Sequence, residues 1–414
     1  MIAIGFGGVP TVFDFLTLDD VDVEGKTVFL RVDINAPLDP VSKRILNASR
    51  IEATVDTLRD LSGAKVVLGA HQSRPGKYDF TSLELHSRVL RSYYNGRIIF
   101  VDDIIGSRAL AAIEALETGE VLVLNNLRML DEENRSMPPK ELKETRLVRT
   151  LAPHFDLVVN DAFAAAHRNQ PSLVGFGEVL PMVAGRLMQR ELEALNRVLQ
   201  DPDRPCLFVL GGAKVEDRIP VIRRVLHDRI ADHILIGGLI HRFFHMAQGY
   251  MSKRLEHLTD EERKWVEEAA KRLDRYSGNI ELPVDMALGV KGERVEVYVE
   301  NLTDETNIYD IGLNTIAHYS DHIKKAGTVV AEGPLGMFER RGFGVGTKEL
   351  LRSMAECRGF SVLGGGHLGG MASMMDVDRR MDHVSTGGGA MLALLAGERM
   401  PVLEALERAK KRHG

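Results

Sequence analysis

Cationic side chains follow several predicted strands in the first half of the chain. Four short apolar runs each lead into charged or polar groups, and the cations among them are His71, Arg74, Arg128, His167 and Arg168. In an open parallel sheet the carboxyl ends of the strands share one edge, and ligands bind there. Positive side chains gathered at that edge would bind a small molecule that carries several negative charges. The sequence therefore predicts a polyanionic substrate.

Glycine-rich loops form a second chemical pattern, in the second half of the chain. The run Gly211-Gly-Ala-Lys214 follows one apolar segment, and similar glycine runs begin at Gly237, Gly333, Gly364 and Gly387. Glycine lets the backbone approach a phosphate, and a helix that begins at such a loop adds N–H groups and the positive end of its dipole. A single glycine pair is most often an ordinary tight turn. Because the pattern is repeated and Lys214 adds a mobile positive charge, we predict a nucleotide site.

Strands and helices alternate along most of the chain, which predicts α/β architecture with parallel sheets. The predicted strands are residues 26–31, 65–69, 120–124 and 157–159 in the first half and residues 206–210, 233–236, 328–331 and 360–363 in the second. The predicted helices include residues 50–60, 83–93, 107–116, 139–151, 187–199 and 259–273. Thr259 and Glu262 have the spacing of a capping box at the start of the last helix.

A chain of 414 residues is too long for one ordinary core, so two domains are expected. The helix at residues 187–199 is followed by a turn-rich segment that contains two prolines, and we place the interdomain connection there. The predicted organisation is a first domain over residues 1–186, an interdomain helix and hinge over 187–205, a second domain over 206–398, and a C-terminal segment over 399–414 that packs back on the first domain.

Composition narrows the class of protein and of ligand. The net charge is −6, so the chain as a whole would repel nucleic acid, and any cationic cluster must be local. There is no apolar run of about 18 residues to span a membrane, and the N-terminus lacks the pattern of a signal peptide. Two cysteines, Cys206 and Cys357, indicate neither a disulfide framework nor a zinc cluster. We expect a cytoplasmic protein with no nucleic-acid or membrane partner.

Six segments resemble motifs of the phosphoglycerate kinases, in the order in which that family has them. Three of these segments carry one substitution each relative to the family, with Ser73 and Ala164 in place of glycine and Leu335 in place of methionine. The segments are Arg31-Val-Asp-Ile-Asn-Ala-Pro37, His71-Gln-Ser-Arg-Pro75, Asn160-Asp-Ala-Phe163 with His167-Arg168, Gly211-Gly-Ala-Lys-Val215, Gly333-Pro-Leu-Gly-Met-Phe-Glu339 and Ser385-Thr-Gly-Gly-Gly-Ala390. The resemblance covers nearly the whole chain and is closest to archaeal members.

The resemblance implies a fold, a reaction and a set of ligands. The fold would be two lobes, each a parallel sheet flanked by helices, joined by a hinge helix. The reaction would be the reversible phosphoryl transfer from 1,3-bisphosphoglycerate to ADP that gives 3-phosphoglycerate and ATP, in glycolysis and gluconeogenesis. Mg²⁺ would be bound through the nucleotide phosphates and not by a protein metal site. Closure of the lobes would bring the substrates together and exclude water. The protein would be a monomer or a homodimer.

The resemblance also implies a role for individual residues. Arg50 and Lys214 would be the catalytic cations, because charge develops on the transferring phosphoryl group. The substrate-binding residues would be Asp33, Asn35, Arg50, His71, Arg74, Arg128 and Arg168. The nucleotide-binding residues would be Gly212, Lys214, Arg218, Gly237, Gly238, Gly336, Glu339, Gly365, Gly366, Ser385 and Thr386. For His167, a structural hydrogen bond and a substrate contact are both compatible with the sequence.

Three positions depart from the family's pattern near the predicted nucleotide site. Arg218 replaces the usual lysine, which keeps the charge expected for an α-phosphate contact but changes its geometry. Glu332 stands where many members have asparagine. His367 stands where many members have an aspartate that helps to hold the metal nucleotide, and histidine is a poor ligand for Mg²⁺.

Three other functions fit the sequence less well. His241 and His245 have the spacing of a zinc-binding helix, but Arg242 stands where the metalloprotease motif requires glutamate, and no third ligand is evident. The glycine run from Gly364 fits a dinucleotide-binding fingerprint, but no acidic residue follows at the expected spacing. A non-catalytic relative that only binds metabolites would not need both Arg50 and Lys214.

Overall fold

The computed structural model describes residues 14–302 and 307–413, except for the side chains of residues 252–254. The described residues form two compact units. The first unit contains residues 14–193 and 399–413, and the second contains most of residues 194–398. None of the helices in the described parts has the length and apolar character that crossing a membrane requires.

The first unit is built on a six-stranded parallel sheet. Its strands in chain order are β1 Thr27–Val32, β2 Lys65–Gly69, β3 Ile98–Phe100, β4 Val121–Val123, β5 Leu157–Asp161 and β6 Met182–Ala184. Their order across the sheet is β3-β4-β2-β1-β5-β6, so the chain leaves β1 toward one side and returns through β5 on the other. The topological switch point therefore lies between β1 and β5, and ligands of open α/β sheets bind at such points.

Two helices predicted in the first unit are each divided in two. The helices of this part are α1 Ser49–Glu52, α2 Val55–Asp60, α3 Glu84–Leu90, α4 Ser107–Glu114, α5 Pro139–Leu142 and α6 Arg146–Leu151. The prediction of one helix over 50–60 and one over 139–151 was wrong because a threonine lies at each break. Thr54 Oγ1 donates to the carbonyl of Ile51, and Thr145 Oγ1 donates to that of Leu142, at 2.7 Å in both cases. These hydroxyls compete for carbonyls that a continuous helix would use.

Helix α7, Arg186–Gln200, contains the boundary between the two units, which falls between Glu193 and Ala194. The strands that follow are β7 Cys206–Leu210, β8 His233–Ile236, β9 Ile280–Glu281, β10 Asp285–Val290, β11 Glu293–Tyr298, β12 Ile308–Ile311, β13 Thr328–Glu332, β14 Phe360–Gly364 and β15 His383–Val384. Six of them form a parallel sheet in the order β15-β14-β13-β7-β8-β9. The switch point of this sheet lies between β7 and β13.

A three-stranded antiparallel sheet, β11-β10-β12, was not predicted from the sequence. Its strand β11 alternates charged and apolar residues and is mostly exposed, so it lacks the continuous apolar run that marked the other strands. In contrast, β7 and β13 are buried along their whole length, as expected for parallel strands covered on both faces.

The helices of the second unit flank its parallel sheet. They are α8 Val215–His227, α9 His241–Ala247, α10 Asp260–Tyr276, α11 Leu313–Lys324, α12 Val345–Glu356, α13 Gly366–Met374 and α14 Gly388–Leu395. The predicted capping box is confirmed, because Thr259 N donates to Glu262 Oε2 at 2.9 Å and Glu262 N donates to Thr259 Oγ1 at 3.2 Å. The last helix, α15 Pro401–His413, belongs to the first unit and packs against β6.

Candidate active site

Asp33, Asn35 and Arg50 come together at the carboxyl end of β1. Arg50 lies in the first turn of α1, and its Nη1 is 3.2 Å from Asp33 Oδ1 and 3.3 Å from the carbonyl oxygen of Asn35. Burial raises the pKa of Asp33, but Arg50, the backbone N–H of Asn35 and two further arginines, Arg31 and Arg168, together outweigh burial, so the net pKa lies below its ordinary value. Asp33 is therefore an ionised hydrogen-bond acceptor at neutral pH. This arrangement brings together three of the residues predicted to form the substrate site.

Further arginines approach Asp33 from neighbouring strand ends. Burial, together with repulsion by Arg168 and Arg74, lowers the pKa of Arg128 to about 10. Burial also lowers the pKa of Arg168. The charge of Asp33 opposes this lowering, and the charges of Arg74 and Arg50 add to it. These guanidinium groups are thus close enough to repel one another. A bound anion with several charges would relieve that repulsion, as the sequence predicts.

Arg128 has an unused donor at this edge. One of its terminal nitrogens, Nη1, donates to the carbonyl oxygen of Ser73. Its Nε is buried and has no hydrogen-bond partner among the described residues. A buried donor without a partner costs free energy, so the hydrogen-bonding capacity of Arg128 is not fully used in this conformation. Asn35 is held in place from the same loop, because Ser73 N donates to Asn35 Oδ1 at 2.9 Å.

His71 does not have the environment expected of a substrate-binding residue. Arg31 Nη2 lies 2.9 Å from His71 Nδ1, and Glu133 Oε2 lies 2.6 Å from His71 Nε2. Burial and the neighbouring arginines hold the pKa of His71 well below its usual value, so the ring is neutral. Both ring nitrogens are occupied within the protein, and the side chain is buried. The prediction that His71 binds the substrate is not supported by this geometry.

Arg31 and Glu133 are residues that the sequence reasoning missed. Arg31 is fully buried, and its Nε donates to Ser172 Oγ at 2.8 Å. Glu133 is also buried and accepts hydrogen bonds from the backbone N and the hydroxyl of Ser172. An arginine near the end of an otherwise apolar strand was the one available signal for this network. The network holds the loop of His71 in place, because Arg31 and Glu133 contact the two ring nitrogens of His71.

In the second unit, the glycine loops pack directly on one another. Gly211 N donates to the carbonyl of Glu332 at 2.9 Å, Gly212 N donates to that of Pro334 at 2.7 Å, and Gly238 N donates to that of Leu335 at 3.1 Å. A Cβ on Gly238 would overlap the backbone of Gly212, and a Cβ on Gly333 would lie 2.5 Å from the Gly211 carbonyl oxygen. Glycine is therefore required for the close approach of loops at the switch point.

The loop that contains Gly336 rests on the antiparallel sheet. A Cβ on Gly336 would overlap the carboxylate of Asp310, a buried residue of β12. Asp310 Oδ2 in turn accepts from Gly346 N at 3.0 Å and from Arg294 Nη1 at 2.8 Å. The unpredicted sheet thus has a role in positioning one of the predicted nucleotide loops. Glu339, three residues beyond Gly336, is exposed.

Arg218 is used within the protein and is not directed at a ligand. Its Nε donates to the Gly211 carbonyl at 3.0 Å, its Nη1 donates to the Lys214 carbonyl at 3.1 Å, and its Nη2 pairs with Glu332. Arg218 and Glu332 are both buried. The expected contact of Arg218 with an α-phosphate is therefore not supported by this geometry. Lys214, at the N-terminus of α8, is exposed and remains the cation of this loop.

The remaining predicted nucleotide residues lie at the ends of β14 and β15. Gly365 has a φ of +86° and immediately precedes α13, which begins at Gly366. A Cβ on Gly388 would lie 2.6 Å from the Cα of Gly365, so these two loops also require glycine. Ser385 is buried, and its hydroxyl accepts from Gly387 N at 3.2 Å, while Thr386 lies beside it at the start of the same turn.

Comparison with known proteins decides the family. A family model described as phosphoglycerate kinase matches residues 18–398. The chain belongs to the phosphoglycerate kinase family. The phosphoglycerate kinase of Methanococcus maripaludis is 46% identical over 412 residues, which cover 96% of this chain and 99% of the relative. That of Saccharolobus solfataricus is 43% identical and covers 94% of this chain and 96% of the relative.

Solved structures of the same family have the same fold. The crystal structure of phosphoglycerate kinase from Pyrococcus horikoshii OT3 matches with a TM-score of 0.87 at 41% identity, over 96% of this chain and 100% of that one. The structure of phosphoglycerate kinase from Coxiella burnetii matches with a TM-score of 0.77 at 29% identity, over 97% of this chain and 100% of that one. The predicted α/β fold with two parallel sheets and the predicted family are both confirmed.

Within this family, two of the departures noted in the sequence are in contact. Arg218 and Glu332 lie 114 positions apart in the chain and form a buried ion pair. Burial raises the pKa of Glu332, and Arg218 opposes that rise. The two substitutions therefore compensate each other's charge. His367, the third departure, is exposed near the start of α13, with its ring centroid 6.0 Å from that of Phe338.

Within the described residues, His241 and His245 belong to no group of three potential metal ligands. His241 and His245 lie on α9 and are buried, with ring centroids 5.5 Å apart. Burial lowers the pKa of His245 to about 4. Among the residues that the structure describes, the group of three or more potential metal ligands lies elsewhere, at Glu281, His318 and His322. The two histidines of α9 are thus part of a buried helix face.

Proposed function

We propose that this chain catalyses the reversible transfer of a phosphoryl group from 1,3-bisphosphoglycerate to ADP. The observation that carries the proposal is the family match over residues 18–398, which spans both compact units. It is supported by an arginine-rich edge on one parallel sheet and a glycine-rich edge on the other. The first suits a small polyanion and the second suits a nucleotide phosphate chain.

The arginine-rich edge is proposed to bind the phosphoglycerate. Asp33, which is ionised, would accept a hydrogen bond from the glycerate hydroxyl, and the amide of Asn35 would donate to the carboxylate. Arg74, Arg128 and Arg168 would bind the distal phosphate. His71 would act indirectly, by keeping its loop in position through Arg31 and Glu133.

Arg50 and Lys214 are proposed to lower the barrier to phosphoryl transfer. An oxygen of the ADP β-phosphate attacks the phosphorus atom, the acyl-phosphate P–O bond breaks, and the carboxylate of 3-phosphoglycerate leaves. Negative charge spreads over the equatorial oxygens during this step, so cations directed at them stabilise the transition state. No proton needs to be removed from either reacting group, which means that no general base is required.

The nucleotide is proposed to bind over the glycine loops, with Mg²⁺ as part of the metal–nucleotide substrate. The side chains at this edge fit a phosphate better than a metal ion, because Glu332 is paired with Arg218 and His367 is a nitrogen ligand. Mg²⁺ would therefore be held by phosphate oxygens and water, and its charge would neutralise part of the phosphate charge. Ser385, Thr386, Gly365 and Gly366 would contribute hydroxyl and backbone donors.

Turnover is proposed to include closure of the two units, since each substrate would bind on a different one. Residues 187–205, which include most of α7, would act as the hinge. Closure would align the reacting groups and exclude water. A cytoplasmic location and a monomeric or homodimeric state also stay predictions.

The proposal is tested by measuring ADP formation with purified protein, ATP, Mg²⁺ and 3-phosphoglycerate. Turnover is expected only when all components are present, and Lys214→Ala is expected to abolish most of it. Lys325→Ala is a matched control, because Lys325 is an exposed lysine paired with Asp321 on α11. Folded protein that shows no turnover under any of these conditions would overturn the proposal.

A further inference from the structure

Three histidines surround one carboxylate in the second unit, apart from the glycine loops. Glu281 is the last residue of β9, and His233 is the first residue of β8. His318 and His322 lie one turn apart on α11. No step of the proposed phosphoryl transfer uses these four residues.

The distances between the ligand atoms suit a metal ion. Glu281 Oε2 lies 2.7 Å from His318 Nε2, and Glu281 Oε1 lies 3.2 Å from His322 Nδ1. One ligand atom from each of these three residues lies within 4.8 Å of the others. In a tetrahedral zinc site with bonds near 2.0 Å, ligand atoms are about 3.3 Å apart. Small side-chain movements would therefore create a coordination site.

His233 provides a possible fourth ligand. Its Nδ1 lies 3.2 Å from Glu281 Oε1. This nitrogen atom is inaccessible to solvent and makes no hydrogen bond among the described residues. Its ring centroid is 5.8 Å from that of His322. The Nδ1 atoms of His233 and His322 thus approach the same oxygen, Oε1 of Glu281. A cation bound by all three atoms would give each of them a partner, which this oxygen alone does not.

The backbone around the cluster is firmly held. Tyr319, between the two histidines of α11, is buried, and its hydroxyl lies 2.9 Å from the carbonyl oxygens of both Ile236 and Glu281. This contact anchors α11 to the ends of β8 and β9. The ligand-bearing elements therefore do not need to rearrange for an ion to bind. His318 is 53% exposed, which leaves a path for an ion to enter from solvent.

The ligand types select the class of metal. Imidazole nitrogens suit Zn²⁺ and other divalent transition ions, whereas Mg²⁺ and Ca²⁺ prefer oxygen ligands. We propose that Glu281, His318 and His322 bind one divalent transition-metal ion of the zinc class, with His233 or water as the fourth ligand. The ion would link α11 to the edge of the parallel sheet, so its role would be structural.

The proposal is tested by zinc binding to the untagged full chain. The protein is first stripped with EDTA and is then titrated with ZnCl₂ by calorimetry, without nucleotide. We expect about one zinc ion to bind per chain, as in a mononuclear site. Because the ion binds only the folded state, zinc should also raise the Tm, and EDTA should reverse the rise. Under the same conditions MgCl₂ should leave the Tm unchanged.

Variants locate the site. His318→Ala and Glu281→Gln should each weaken zinc binding by at least about tenfold. His233→Ala should weaken zinc binding less, because water can take the place of His233 as the fourth ligand. His227→Ala is the matched control, since His227 is an exposed histidine of α8 in the same unit, and it should bind zinc as the wild type does. Kinase activity should be the same in all four variants.

Two results would overturn the proposal. The first is folded wild-type protein that binds no zinc, in which case the cluster is only a set of hydrogen bonds to Glu281. The second is zinc binding that His318→Ala and Glu281→Gln leave unchanged, which would place the ion elsewhere. Circular dichroism of each variant separates loss of the site from loss of the fold.

Discussion

The two proposed substrate edges are built on the same sheet topology but use different chemistry. In the first unit, the switch point between β1 and β5 presents arginine side chains that repel one another. In the second unit, the switch point between β7 and β13 presents glycine backbone, and its buried arginine is paired with Glu332. At the first edge the arginines outnumber the one aspartate, Asp33, and the second edge offers a close-packed backbone surface with an exposed lysine, Lys214.

Charged residues near the strand ends of this protein therefore have one of two roles. Arg128 and Arg168 lie among other arginines and are proposed to bind a ligand, whereas Arg31 and Arg218 each lie beside a buried glutamate and are bonded to the segments around them. In both units a buried arginine next to a glutamate supports the loop that bears the proposed binding groups. A change to the first kind of arginine should therefore affect catalysis or binding, and a change to the second kind should affect stability.

The largest effect is expected from Arg50→Ala. Its guanidinium group is paired with ionised Asp33 and is proposed to stabilise the transition state, so kcat should fall by about 10³-fold. The KM for 3-phosphoglycerate should change much less. Steady-state kinetics checks this, with Arg59→Ala, an exposed arginine of the neighbouring α2, as the control. A near-normal kcat for Arg50→Ala would remove this residue from the catalytic role.

Arg218→Ala is expected to act on stability. It would leave Glu332 buried without its partner, and breaking such a pair costs about 3–5 kcal/mol of unfolding free energy. Chemical denaturation measures the change, and Arg223→Ala, an exposed arginine of the same helix, should be nearly neutral. The double variant Arg218→Met with Glu332→Leu should recover much of the loss, because it removes both charges.

A matching variant at the first edge, Arg74→Ala, tests whether the two kinds of arginine differ. Arg74 is exposed at the first edge and is proposed to bind phosphate. Arg74→Ala should raise the KM for 3-phosphoglycerate and leave the free energy of unfolding nearly unchanged. If Arg74→Ala and Arg218→Ala had the same kind of effect, the proposed division between binding and supporting arginines would be wrong.

Much of the fold could be predicted because the information is local. The strands at 65–69, 206–210 and 233–236 have the bounds that their apolar runs indicate. The breaks in the helices at Thr54 and Thr145 were missed because they depend on a single hydroxyl that competes for a carbonyl. The antiparallel sheet was missed because its strand β11 is mostly exposed and has no apolar run.

The sites were less predictable because their decisive contacts join distant segments. The cationic residues at strand ends predicted an anion-binding edge, and the repeated glycine runs predicted a nucleotide edge. However, the partner of His71 is Glu133, 62 positions away, and the partner of Arg218 is Glu332, 114 positions away. A motif identifies which residues occupy a site, but it does not show which of them face a ligand and which face each other.

Gly238→Ala tests the close packing of the second edge. The residue has a φ of +56°, and an added Cβ would overlap the backbone of Gly212. Gly249→Ala is a matched control, since Gly249 has a φ of +92° with nothing within 4 Å of its Cβ position. Both variants place alanine at a positive φ, which costs roughly 1–2 kcal/mol, and overpacking should destabilise Gly238→Ala by roughly 1–3 kcal/mol more.

The KM for ATP adds a second readout to this pair. Because Gly238 N bonds to Leu335 and its loop packs on Gly212, a shift of this loop should weaken nucleotide binding in Gly238→Ala. Gly249→Ala should leave the KM for ATP unchanged. Equal stability and equal KM in the two variants would show that the glycine loops tolerate a side chain, contrary to their role as a close-packed surface.

The smallest effect is expected at His71. This residue lies at the first edge, but its ring nitrogens contact Arg31 and Glu133 within the protein, much as Arg218 contacts Glu332 at the second edge. Burial and the charge of Arg31, whose Nη2 lies 2.9 Å from His71 Nδ1, hold the pKa of His71 well below its ordinary value, so the ring is neutral in the folded protein. The unfolded chain takes up a proton near pH 6.5, and the folded chain does not. Stability should therefore fall as the pH decreases below about 6.5, because the unfolded state binds more protons.

His71→Gln removes this titration and leaves the rest of the chain unchanged. The wild type should lose stability relative to His71→Gln between about pH 6.5 and pH 5, and the difference should level off below the folded pKa. Denaturation at several pH values measures it, and NMR of the His71 ring checks that the ring stays neutral near pH 6. A ring that is protonated at pH 7 and gains a contact with added 3-phosphoglycerate would return His71 to the group of substrate-binding cations.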